Sequence, residues 1–166
     1  MDTPDIALPA AQPLAPGVAT HVTAALRRAG LPGWMPEGPG KWSLPLQFLP
    51  EGAGWVELMR LAPGTRVPRH RHSGEVHAVN LQGLRHLSDG RLVFPGDYVF
   101  EPAGNVDHWQ AVGEEMLIVQ VVVRGEVEYL ADDGRVLQRI DTLSRMADYE
   151  RFCREQGLPS RDLGAC

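Results

Sequence analysis

The sequence predicts an all-β fold: a jelly-roll barrel with a short helix before it and a longer helix after it. Three observations predict it. Residues 55–140 fall into many short alternating or apolar runs separated by Gly, Pro and Asp turn signals. A clear hairpin turn, Asp132-Asp133-Gly134-Arg135, sits between two such runs. Helical spacing of apolar residues shows only outside this span.

The elements follow in order. Residues 1–19 are rich in Ala and Pro, with no basic start and no continuous apolar run, so they predict an arm and not a signal peptide or a membrane span. Thr20 to Ala29 predicts a short helix, with Val22, Ala25 and Leu26 at helical spacing and Gly30 as its stop. Leu31 to Gly54 is rich in Gly and Pro and predicts a loop holding Trp34 and Trp42, which stack on an aryl group at the barrel mouth or pack in a core or dimer contact. Residues 1–54 thus form an N-terminal layer on the barrel.

Strands are expected at Trp55–Leu61, Arg91–Phe94, Asp97–Phe100, Met116–Val123, Val127–Ala131 and Val136–Ile140. Residues 141–166 close the chain with a helix over roughly Leu143 to Gln156, capped by Asp141 or Thr142 and stopped by Gly157 and Pro159. Its expected apolar stripe is Leu143, Met146, Tyr149, Phe152 and Cys153, docked on the barrel or lidding its open end.

With 166 residues, 43% of them hydrophobic, the chain has material for one core. A net charge of -5 argues against nucleic acid as a partner. Two cysteines, Cys153 and Cys166, make no disulfide framework, fit a reducing cytoplasm and read as free thiols.

The chemistry concentrates in Gly64–Gly83, where three of the six histidines, His70, His72 and His77, fall within eight positions. His70 and His72 are two apart, so on a strand both rings leave one face and can converge on an ion. Neutral imidazole binds iron, zinc, nickel and copper alike. The alternating Arg69 and Arg71 should point outward, available for a contact in a homodimer or homotetramer. A second segment, Gly96 to Trp109, supplies a Pro-Ala-Gly turn, then Asp107 and His108.

These two segments resemble the two motifs of the cupin superfamily. Gly64, His70 and His72 match the first, and Gly96, Pro102 and Gly104 the second. The chain departs from the pattern at ligand positions. The four-residue spacing after His72 lands on His77, with Glu75 two residues earlier in the chain and one short of the three-residue spacing, while the second motif's His position holds Asp107, with His108 one further on. Strand parity puts Glu75, His77, Val79 and Leu81 on one face, expected to be the interior. Asp107 with His70 and His72 would make a two-His-one-carboxylate triad. His108 would make a three-His face, with Asp107 orienting it, and this is the set adopted.

Within the superfamily, H-R-H-S-G-E-V-H-A-V-N-L-Q-G and G-D-Y-V-F-E-P-A-G-N-V-D are most similar to small bacterial cupins of the 2,4'-dihydroxyacetophenone dioxygenase family. The resemblance implies a cupin-type double-stranded β-helix over residues 55–140. It also implies ferrous iron as cofactor, with zinc, nickel or manganese as alternatives, and a small carbonyl substrate cleaved with O2. His70, His72 and His108 become iron ligands, His77 a fourth, and Glu75 and Asp107 the acid or base candidates. Tyr98, Phe100, Trp109, Gln120 and Tyr129 are the expected pocket lining. Two other classes remain: another metal-dependent cupin enzyme, such as an isomerase, polyketide cyclase or sulfur-substrate oxygenase, and a metal-binding sensor like the cupin half of zinc-dependent anti-sigma factors. The helical partner-binding domain that precedes the cupin in such sensors has no counterpart in this sequence.

Overall fold

The computed structural model of the protein describes residues 33–164. Twelve strands run from β1 to β12: Met35–Pro36, Lys41–Phe48, Gly54–Leu61, Arg66–His72, Val76–Gln82, Leu84–Leu87, Leu92–Val93, Tyr98–Glu101, Val106–Val112, Leu117–Arg124, Val127–Leu130 and Val136–Ile140. Among the described residues one α-helix, α1, covers Thr142–Glu155, and a 3-10 turn covers Pro50–Gly52. The strands form two six-stranded sheets, ordered β1-β2-β3-β10-β5-β8 and β12-β11-β4-β9-β6-β7. Every pairing is antiparallel.

The expected all-β barrel and C-terminal helix are both present. The helix expected at Thr20–Ala29 lies outside the described residues. The described part of the stretch read as a loop, 33–54, holds a long strand: β2 spans eight of its residues and pairs with β3 along its length. Its prolines and glycines hid the strand, since Pro45 sits where the β2–β3 register shifts and needs no ladder donor.

The two sheets enclose a core of Phe48, Trp55, Met59, Val67, Val76, Trp109, Val121 and Val123, among others. Gly54 opens β3 at φ 135°, and a Cβ there would lie 1.9 Å from the Val123 carbonyl oxygen. Both the backbone angle and the clash oppose a side chain, so Gly54→Ala should lose about 3 kcal/mol in a urea melt. An unchanged midpoint would show that the β3–β10 contact yields easily.

Asp141 caps α1 and forms a capping box with Ser144, worth about 1 kcal/mol. Gly157, at φ 64°, lies just past its end. The stripe differs from the expected one. Leu143 is exposed, Met146 and Phe152 are half-buried, and Arg145 is buried beside Tyr149 and Cys153. Among the described residues no helix is long and apolar enough to cross a membrane.

Candidate metal centre

β4 positions the two histidines through an irregularity. Val67 faces inward, so strict alternation would turn Arg69 and Arg71 in and His70 and His72 out. The β4–β9 register shifts between Val67 and His70, the segment that contains Pro68. A shift of this kind reverses parity, so His70 and His72 are buried while Arg69 and Arg71 are exposed. Pro68, which has no N–H to lose, is a natural residue there, and its carbonyl accepts from His70 Nδ1 at 2.7 Å. That bond fixes the tautomer and leaves His70 Nε2 with a free lone pair.

His72 lies edge-on to His70, with ring centroids 4.8 Å apart. Its Nε2 is 3.4 Å from Glu101 Oε2, and its Nδ1 is buried without a partner among the described residues. His70, His72 and Glu101 together offer three ligand atoms within 4.8 Å of one another. At a 3.4 Å spacing one ion can lie within bonding reach, about 2.1 Å, of both atoms. Two buried imidazoles and a buried carboxylate with ligand atoms this close fit a transition metal.

Electrostatics keep these donors ready. Burial lowers the proton affinity of both rings, and His70 pushes His72 down further, to about 4, so both are neutral imidazoles at neutral pH. Burial raises the Glu101 carboxyl, while Asn105 Nδ2, donating at 3.1 Å, and the Arg85 charge pull it back. Arg85 is 1% exposed, its guanidinium 5.1 Å over the Trp109 ring, with Nε and Nη2 unpartnered among the described residues.

The expected residues separate. β9 buries Asp107 and Trp109 and exposes Val106 and His108. His108, placed in the three-His set, therefore lies on the outer face. Asp107 pairs in register with His70 and is buried; its Oδ1 accepts from Ser88 Oγ and from the His108 N–H at 2.7 Å. The parity read for β5 is also reversed. Val76, Ala78 and Asn80 face in, whereas His77 faces out, 2.5 Å from Tyr98 Oη and 3.3 Å from the exposed Glu75. Tyr98 and Phe100 are exposed and Gln120 lies on the outer side of β10, so of the expected lining only Trp109 and Tyr129 face the cavity.

Glu101 was missed as a ligand. It is paired in register with Val76, the residue at the three-residue spacing after His72 where the first motif has its acid, so the carboxylate absent from β5 stands beside that position on β8. The signal was available: with Tyr98 and Phe100 outward, Val99 and Glu101 must point in. A cavity of about 60 Å³ opens against His70, His72, Arg85, Glu101 and Trp109.

At its wall lies a buried ionic network. Arg145 of α1 bonds both Glu37 and Glu57 and donates to Ser43 Oγ at 2.9 Å. Lys41 Nζ lies 3.0 Å from Glu37 and donates to Tyr129 Oη at 3.3 Å.

The fold and geometry find their match in a known family. The ChrR cupin-like domain family matches residues 24–129, more than half of the chain. The chain belongs to this family of cupins. Among solved structures, an RmlC-like cupin from Ralstonia eutropha JMP134 superposes with a TM-score of 0.75 at 24% identity, covering 80% of this chain and 88% of its own. An acetylacetone dioxygenase from Acinetobacter johnsonii gives 0.64 at 16% identity, covering 91% and 99%. The anti-sigma ChrR of Rhodobacter sphaeroides, solved in complex with SigE, gives 0.50 at 20% identity, covering 69% and 70%. Among curated proteins, none matches this chain.

Proposed function

We propose that this cupin is a non-haem iron dioxygenase that cleaves a carbon–carbon bond next to a carbonyl in an aryl α-hydroxyketone or β-diketone. The observation behind this reading is the convergence of two neutral imidazoles and one carboxylate, His70, His72 and Glu101, on a small buried cavity. Two His and one carboxylate are the ligand set of oxygen-activating ferrous iron, which leaves positions open for substrate and O2. The likeness in fold to an acetylacetone dioxygenase is consistent with it.

When bound, iron would supply Lewis-acid polarisation of the carbonyl and a site for oxygen. The chain's own residues supply the rest. His70 is held in one tautomer by Pro68. Asp107, opposite His70 in the β4–β9 register, is fixed by Ser88 and the His108 N–H and acts as a positioning residue. Glu101, the cavity-lining acid beside His72, is placed to ligate the ion or to accept the α proton. Trp55, Val76, Val121 and Val123 exclude water around it. Glu75, on the outer face, takes no part in this scheme; iron is preferred over zinc, which has no redox chemistry, and over nickel or manganese because two His and one carboxylate are the ligand set of ferrous oxygenases.

For an aryl hydroxyketone the balance is ArCOCH2OH + O2 → ArCOOH + HCOOH, one oxygen atom entering each product. Protein loaded anaerobically with ferrous iron should consume one O2 per hydroxyketone or β-diketone cleaved, and zinc-loaded protein none. Absence of uptake at full iron occupancy would reject the proposal. A metal-binding sensor is the second reading, supported by the family's ChrR description, and it predicts metal binding without turnover.

A further inference from the structure

The small inner cavity adjoins a much larger one. A cleft of about 670 Å³ runs between α1, β1, β11 and β12, and five residues line both spaces: Glu37, Lys41, Tyr129, Ile140 and Arg145. The volumes decide what each can hold. Some 60 Å³ is about two waters at roughly 30 Å³ each, whereas an apolar cavity of roughly 150 Å³ is needed for a benzene ring. The outer cleft falls within the roughly 300–1,000 Å³ of small-molecule sites, with Pro36, Leu137, Ile140 and Phe152 among its walls.

The shared wall has its own chemistry. An ammonium has three donors, and Glu37 and Tyr129 take two of those on Lys41, leaving one N–H to donate. Tyr129 Oη accepts from Lys41, and its own proton has no acceptor among the described residues. The tyrosine ring lies 5.9 Å from that of His70, so this pair of donors stands next to the candidate metal ligands. Lys41 and Arg145 are balanced by Glu37 and Glu57. With no surplus positive charge, the pair suits a neutral oxygen, a carbonyl or hydroxyl, better than a carboxylate or phosphate.

We infer that Lys41 and Tyr129 form the threshold of a two-chamber site, admitting the neutral oxygen-bearing head of a ligand to the inner cavity while an aryl-sized apolar body stays in the outer cleft. This rests on reading the inner cavity as the catalytic centre. To that reading it adds two specificity-determining residues.

The experiment is methyl NMR on metal-free protein, titrated with acetophenone, acetone and benzoate. Acetophenone should shift the methyl signals of Met35, Leu130 and Leu137 in the outer cleft, and acetone only those of Val76 and Val123. Benzoate, with the same ring and a full charge, should bind at least about tenfold more weakly than acetophenone. Tyr129→Phe and Lys41→Met should each weaken acetophenone about tenfold. Tyr129→Phe keeps the ring, so its effect is read on a folded protein. The inference is overturned if acetophenone shifts no outer-cleft methyl, if benzoate binds as well, or if both variants bind acetophenone as the wild type does. Because binding is read without turnover, the two proposals fail separately. Acetophenone binding as described without O2 uptake in the iron protein rejects only the dioxygenase, and uptake indifferent to both variants rejects only the threshold.

Discussion

His70→Ala, His72→Ala and Glu101→Gln should each purify with little bound metal after iron-replete growth, whereas His77→Ala and His108→Ala should retain it. Three donors within 4.8 Å of one another are enough for a site only if none is missing. Losing a mere outer-shell partner costs roughly 10–100-fold in metal affinity, and losing one of three ligands should cost more. His77 and His108 lie on outer strand faces, so their removal touches neither donor nor cavity. Elemental analysis as atoms per chain checks it. Metal lost in His108→Ala but kept in Glu101→Gln would restore the three-His set and require β9 to turn over.

Arg145→Leu should destabilise the fold by about 3–5 kcal/mol, because it strands two carboxylates that the arginine neutralises, Glu37 and the 5%-exposed Glu57. Arg145→Lys should recover only part of this, since one ammonium cannot reproduce the fork that spans Glu37, Ser43 and Glu57. Urea denaturation measures both, and a leucine variant as stable as the wild type would show the network to be dispensable. The same network sets a pH dependence. Burial by itself would raise the Glu37 carboxyl, but Arg145 and Lys41 hold it at about 2, against 4.5 for a free glutamate. A folded value below the unfolded one means stability that is complete above pH 4.5 and is lost as pH falls toward 2. Glu37→Gln should flatten that acid limb.

Much of the fold was legible in local pattern. The Asp132–Arg135 hairpin, the apolar run of β10 and the Asp141 cap each depend on neighbours in sequence, and all three stand in the structure. The pair His70 and His72 was legible because a two-residue spacing forces one face in any strand. Which face was not legible for β5, where both sides of the strand offered apolar residues, Val76 and Ala78 against Val79 and Leu81. A single-step error in parity exchanges every side chain, and it put His77 inside when it belongs outside.

The amino-acid sequence by itself determined the all-β barrel, the family motifs and the presence of a histidine-rich site, because these follow from period, turn chemistry and spacing. Only the tertiary structure decided which donors converge and what surrounds them. Glu101 joins His72 through the pairing of β8 with β5, Asp107 opposes His70 through the pairing of β9 with β4, and Arg145 reaches Glu57 from 88 residues away. The inward turn of both histidines depends on the register shift near Pro68, a property of two strands together. Contacts between distant segments are set by register and by burial of the whole core, which no local window of residues contains.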